Sequence, residues 1–139
     1  MGYHLAEQLS YENKDITLID VDKDALDNAA SHLDVMTIMG DATSLEILNS
    51  ANLKDTHMFM AVTTSEKTNI VAATLAKQLG AKRVIARVRN HDYLEPEHEI
   101  YFKNIGIDNI ISPTMLCSGE IYRMIKNSTF TEVFEFEGG

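Results

Sequence analysis

The feature that most constrains this chain is an alternation: short, mainly apolar runs are separated by stretches in which apolar residues recur at helical spacing. A strand with one wet face alternates apolar and polar residues, whereas a run apolar at nearly every position needs cover on both faces. The crossover helices of a parallel sheet provide that cover. Residues 16–19, 35–39, 58–62, 84–88 and 107–111 are such runs, of strand length and rich in Ile and Val. They predict an α/β fold with a doubly wound parallel sheet, and 139 residues are enough for one such core.

The intervening segments predict the helices. Leu5, Ala6 and Leu9 form one apolar face, and Ala25, Leu26, Ala29, Ala30 and Leu33 form a second. Thr43 followed by Glu46 has the spacing of a capping box and announces a third helix that carries Leu45 and Leu48 inward. A fourth spans 65–79, apolar at Val71, Ala72, Leu75, Ala76 and Leu79, and stops at Gly80, where a left-handed residue closes the last turn without a Cβ clash. A fifth crossover starts at Pro96 and stops before Gly106; a sixth spans 114–126 with Leu116, Ile121, Tyr122 and Ile125 near one face. Residues 130–136 read as a strand outside the parallel sheet, because Phe134 and Phe136 alternate with Glu135 and Glu137. The polar turn at Asn127 and Ser128 marks a boundary before it.

Met1-Gly2 runs directly into a helix, whereas a doubly wound sheet begins with a strand. In a dinucleotide-binding unit that strand leads into a glycine turn, GxGxxG, and the next helix points its free N–H groups at a pyrophosphate. Gly2 stands where the third glycine would, and Asp20 closes the following strand at the spacing of the acid that accepts hydrogen bonds from ribose hydroxyls. The expectation is a Rossmann-type domain whose first strand and most of whose glycine loop lie outside this chain, leaving it destabilised, swapped with a neighbour or rearranged at its N-terminus. Duller readings stand beside these: Gly2 as a cloning remnant, and Asp20 or Asp22 as helix N-terminal acids.

Asp20, the turn Gly40-Asp41-Ala42-Thr43, the segment from Ala61 through Val62, Thr63, Thr64, Ser65 and Glu66 to Asn69, the strand end Ile85-Ala86-Arg87, and Ile111-Ser112-Pro113 together resemble one family. It is the N-terminal nucleotide-binding (KTN, or RCK N-terminal) domain of TrkA-type potassium-uptake regulators. The resemblance covers nearly the whole chain. It implies a Rossmann-like RCK N-terminal domain over residues 1–126, with 127–139 starting a linker or strand toward a C-terminal RCK subdomain. It also implies a regulatory, non-catalytic subunit that gates a Trk-type membrane potassium transporter in response to NAD(H) or to ATP/ADP. Such a subunit would assemble as a homodimer or larger ring, cytoplasmic and held to the inner face of the membrane through the transporter. By the same resemblance Gly2 would lie at the phosphates, Asp20 at the adenosine ribose, and Asp41 with Ala42 beside the adenine. Thr63 and Thr64 would line the middle of the cleft, and Arg87 would reach a phosphate or the far half of the ligand with its planar fork.

Each assignment has a structural competitor. Asp41 could hold the turn before the third helix, Thr64 or Ser65 could cap the fourth, and Asn69 could hydrogen-bond the turn above it. Arg87, like Arg89 on the same face, could be a solvated strand end or half of a salt bridge. His4, His32, His57, His91 and His98 lack metal-ligand spacing, and Cys117 has no base near it in sequence, so neither set suggests a metal or a nucleophile. Met36, Met39, Met58 and Met60 read as core filler, and Glu95, Glu97 and Glu99 as a solvated helix face.

Charge and composition narrow the function classes. A formal net charge of −9 argues against nucleic acid as a partner. The single cysteine cannot form an internal disulfide, no apolar run reaches the roughly 20 residues needed to span a bilayer, and no signal peptide opens the chain, which together suggest a cytoplasmic protein without direct membrane insertion. The rival reading is a fragment of a nicotinamide-dependent oxidoreductase, which shares the scaffold. Against it, the one Tyr-x-x-x-Lys match, Tyr122 to Lys126, lies in the last crossover helix, remote from the strand ends. A third reading is a purely structural dimerisation module.

Overall fold

The computed structural model of the chain describes residues 15–114, residue 7, and the backbone of residues 132–135. The helix predicted from Leu5, Ala6 and Leu9, nearly all of the one predicted over 114–126, Gly2, His4 and Cys117 lie outside the described residues.

The predicted runs become β1 (Ile16–Asp20), β2 (Met36–Met39), β3 (Met58–Ala61), β4 (Arg83–Arg87) and β5 (Asn109–Ile111). Between them stand α1 (Lys23–His32), α2 (Leu45–Asn49), α3 (Glu66–Gln78), α4 (His91–Leu94) and α5 (Glu99–Asn104), with 3₁₀ turns at Leu53–Asp55 and Pro96–His98. A sixth strand, β6 (Glu132–Glu135), completes the sheet. The order is β2-β1-β6-β3-β4-β5, and every neighbouring pair is parallel. This is the doubly wound, Rossmann-like arrangement, in which the chain winds outward in both directions from the middle of the sheet.

The placement of β6 corrects the expectation for residues 130–136. Val133 pairs in register with Thr17 on one side and Phe59 on the other, so the strand lies in the centre of the parallel sheet. Alternation of Glu with Phe reports only what side chains prefer. Backbone demand wins here: β1 and β3 are buried strands whose facing edges would otherwise carry unpaired N–H and C=O groups in the middle of the sheet. In the described structure residues 132–135 of the same chain fill that position.

Alternate strand residues feed a core on each face. Ile16, Leu18, Met58, Met60, Ile85 and Ile111 pack with Leu26 and Ala29 of α1. Ile19, Phe59, Ala61, Val84 and Ala86 pack with Leu48 and with Ala72, Ala73 and Ala76 of α3, whose small side chains let the helix lie close to the sheet. Val71, expected on that face, is exposed, as are Ala30 of α1 and Leu45 of α2. Met58 and Met60 are core residues, but Met36 and Met39 are 71% and 59% exposed, which corrects their reading as filler. The reason is position: β2 is an edge strand with no described strand on its outer side, and of its four residues only Ile38 is half-buried.

Local signals explain most boundaries. Asp22 caps α1 by accepting from the N–H groups of Asp24 and Ala25. Ser65 caps α3, and Gly80 follows its end at φ +114°, a conformation costly for any residue with a Cβ. The capping box predicted for Thr43 and Glu46 is not formed. Thr43 is held by Asp41, and the cap moves to Ser44, whose Oγ accepts from Ile47 N. The crossover predicted to start at Pro96 begins earlier, at α4, and its two parts meet where Tyr93 packs edge-on against Phe102 with ring centroids 5.4 Å apart.

Candidate functional site

The carboxyl ends of the parallel strands form the edge at which open α/β sheets bind ligands, and β6 lies at the point where the winding reverses. The sequence-derived residues fall into two groups on either side of it.

On the β1–β2 side, Asp20 ends its strand with 2% exposure, and its Oδ1 accepts from the backbone N–H of Asp22 at 2.9 Å. That bond turns the chain into α1 and fixes the carboxylate at the strand end. The carbonyl of Asp20 accepts from Gly40 N at 2.9 Å, tying the following turn to β1. Gly40 leaves room there for Ile47, whose side chain would have to shift for an added Cβ. Asp41 is exposed, and its Oδ1 accepts from the backbone N–H of Thr43 at 2.8 Å and from its hydroxyl at 2.7 Å. These two donors hold the Asp41 carboxyl below the usual carboxylate range. The turn-holding role read as a competitor for Asp41 is therefore present. Ala42 is fully buried in the second core, so its backbone, not its side chain, is what the turn offers.

On the β3–β4 side, Thr63, Thr64 and Arg87 come together around Asn69. Asn69 sits in the first turn of α3, where its Oδ1 accepts from Thr63 N at 2.9 Å and from the Thr63 hydroxyl at 2.6 Å. Its Nδ2 donates to Thr63 O at 2.9 Å and to Arg87 O at 3.0 Å. One buried side chain thus fastens the loop after β3 to the end of β4. Arg87 is only 8% exposed, and its Nη1 donates to the carbonyls of Val62 and Thr63 at 3.4 and 3.3 Å. It is a buried strand-end guanidinium, which corrects the solvated reading. Thr64 is exposed, and its carbonyl accepts from Arg89 Nη2 at 3.3 Å.

Glu66 is a contributor that sequence reasoning left without a role. Its Oε1 accepts from the backbone N–H groups of both Arg89 and Asn90 at 2.9 Å, a second bolt between the loops after β3 and β4. An acid in the first turn of a helix is a readable signal, but its partners lie more than twenty residues on and are not.

The arrangement offers a buried carboxylate at the end of β1 that can accept hydroxyl hydrogen bonds, a buried planar cation at the end of β4, and the exposed Thr64 between them. Among the described residues no three His, Cys, Asp or Glu side chains gather as metal ligands, and no helix is long and apolar enough to cross a membrane.

Comparison with known proteins agrees with the fold. A TrkA-N domain in a membrane protein from Escherichia coli, YbaL, superposes with a TM-score of 0.68 over 90% of this chain and 89% of that one, at 16% identity. The Trk system potassium uptake protein TrkA homolog of Methanothermobacter thermautotrophicus is 34% identical over 90% of this chain and 56% of its own length. The Trk system potassium uptake protein TrkA of Halomonas elongata is 34% identical over 100% of this chain and 31% of its own length. The chain thus spans between about a third and somewhat over half of these relatives. With the profile of the TrkA-N domain matching residues 1–113, most of its length, the chain belongs to the TrkA-N domain family.

Proposed function

We propose that this chain is a regulatory, non-catalytic nucleotide-binding domain of a Trk-type potassium uptake system, with NAD(H) as its ligand and ATP/ADP as the alternative. Membership of the TrkA-N family and relatives named for potassium uptake support the transport setting. The observation that carries the ligand reading is the pair of buried, oppositely charged strand-end residues, Asp20 and Arg87, on opposite sides of the strand at which the winding reverses. In this reading Asp20 accepts hydrogen bonds from ribose hydroxyls, the turn at Asp41 and Ala42 borders the base, and Thr63, Thr64 and Arg87 meet the rest of the ligand. Gly2 is assigned to the phosphates.

Nucleotide acts by binding one arrangement of domains better than another, since only a difference in affinity shifts such an equilibrium. The regulated partner is a membrane potassium transporter, which the domain meets from the cytoplasmic face as a homodimer or larger ring. Calorimetric titration of NADH, with ATP alongside, tests the reading. Saturable binding that Asp20→Ala weakens about tenfold, in a variant with unchanged fold, supports it, because a hydrogen bond to a charged acceptor contributes about 1.5–3 kcal/mol. Binding indifferent to Asp20 moves the ligand elsewhere, and no binding of either nucleotide leaves the scaffold an assembly module.

A further inference from the structure

The edge strand β2 has features that the nucleotide reading leaves unused. Among the described residues no strand pairs with its outer side. Gly40 N donates inward to Asp20 O, and because backbone groups alternate sides along a strand, the N–H and C=O groups of Thr37 and Met39 point outward. Thr37 is exposed, as are Met36 and Met39, and the strand Met-Thr-Ile-Met carries no charge or proline of the kind that guards natural edges. Beside it, at the end of the sheet away from the nucleotide cleft, opens a hollow of about 490 Å³. Ile16, Val35, Met36, Ile38 and Ala51 are its apolar lining residues, and the exposed Asp15 and Asp34 belong to the same wall.

We propose that the outer edge of β2 and this hollow form a docking site for an extended, basic segment of a partner protein, which adds to the sheet as a further strand. Main-chain bonds to Thr37 and Met39 would give the affinity, and the hollow would select an alternate side chain. A lysine or arginine fits it best: an apolar stem along Ile38 and Ala51, and a cation at Asp15 and Asp34. Charge also argues against a second copy as the occupant. Each copy carries a net charge of −9, with Asp34 and Asp41 flanking the strand, so two β2 edges would meet as like-charged surfaces. Met39 is the register partner of Asp20, but its outward groups face away from β1 and the hollow lies at the other end of the strand, so the proposal does not rest on the nucleotide reading.

Fluorescence anisotropy with a short labelled peptide alternating valine with lysine tests the proposal, a valine–glutamate peptide serving as the comparison. The expected result is saturable binding of the lysine peptide alone, weakened at least about tenfold by Asp34→Lys through reversal of a close charge pair. Thr37→Pro removes an outward N–H without touching a bond to β1, is tolerated at an edge, and should abolish binding with the urea midpoint little changed. Equal binding of the glutamate peptide, indifference to Asp34→Lys, or no binding of the lysine peptide overturns the proposal. So does a dimer in sedimentation that Thr37→Pro dissociates, since the occupant would then be a second copy.

Discussion

The side-chain amide of Asn69 donates to the main-chain carbonyl of Arg87 at 3.0 Å, joining the first turn of α3 to the last residue of β4 across a separation of 18 residues. The same side chain bonds both the N–H and the C=O of Thr63 and its hydroxyl, so three backbone groups and one hydroxyl meet on it, while the Thr63 carbonyl also accepts from Arg87 Nη1 and its hydroxyl also bonds Ser65 O. The site on this side of the sheet is held by a polar side chain in the interior rather than by apolar packing.

Asn69→Ala should therefore be severe. Each buried group left without its partner costs about 1–3 kcal/mol, and some will recover water, so a net loss of about 3 kcal/mol in urea unfolding is expected. Asn69→Leu, which nearly preserves volume, should be no better, because the unsatisfied backbone groups remain. A loss below about 0.5 kcal/mol in both variants would show that the network adds little.

Asp41 and Asp20 should separate turn from ligand. Asp41→Ala removes the acceptor of two Thr43 donors and should cost about 1 kcal/mol, the typical worth of such a local bond. The Asp41 carboxyl is held below its ordinary range by those bonds, so its contribution is present above the ordinary carboxylate pKa and is lost as pH falls through the lowered folded value. Wild-type stability measured by urea titration should thus fall more steeply than that of Asp41→Ala on acidification in this low range. Parallel curves would remove the pH claim.

How much of this was legible in the sequence depends on the range of each interaction. The five apolar runs and the helix from Ser65 to Gly80 were readable because burial and capping act on neighbouring residues. The cap of α2 was misplaced by one residue because Thr43 and Ser44 are both competent, and only the geometry of Asp41 decides between them. Met36 and Met39 looked like core because an apolar run does not say whether its strand lies at the edge. The bolts from Asn69 to Arg87 and from Glu66 to Arg89 and Asn90 leave no periodic trace, and the centre of the sheet was assigned by backbone demand, which the side-chain pattern of residues 130–136 does not carry.

His98 gives a second pH response, of opposite sign. Its Nδ1 lies 2.6 Å from the carbonyl of Asp92, and this backbone acceptor, with the nearby carboxylates of Asp92, Glu97 and Glu95, raises the imidazole above its usual pKa. A raised folded value means that the stabilisation is complete below the ordinary histidine pKa and is lost as pH rises through the folded one. Titration followed by NMR should place the midpoint of the His98 ring above the ordinary histidine value. A ring that titrates at or below that value would show that the charged form does not engage Asp92.

The central position of β6 makes a sharp demand on distance. Thr17 and Val133 are register partners on neighbouring parallel strands, so their Cα atoms should lie about 5 Å apart, the spacing of paired strands and within reach of a disulfide. In a Cys117→Ser background, Thr17→Cys with Val133→Cys should cross-link within one chain on oxidation, giving a faster-migrating monomer under non-reducing conditions. A cysteine placed at Met36 instead of Thr17, on the far side of β1 from β6, should not cross-link. Covalent dimers from the Thr17 and Val133 pair would mean that β6 is exchanged between copies. No cross-link at all, in a protein that remains folded, would mean that another segment pairs with β1 and β3, and the carboxyl end of that segment would then be the one facing the nucleotide.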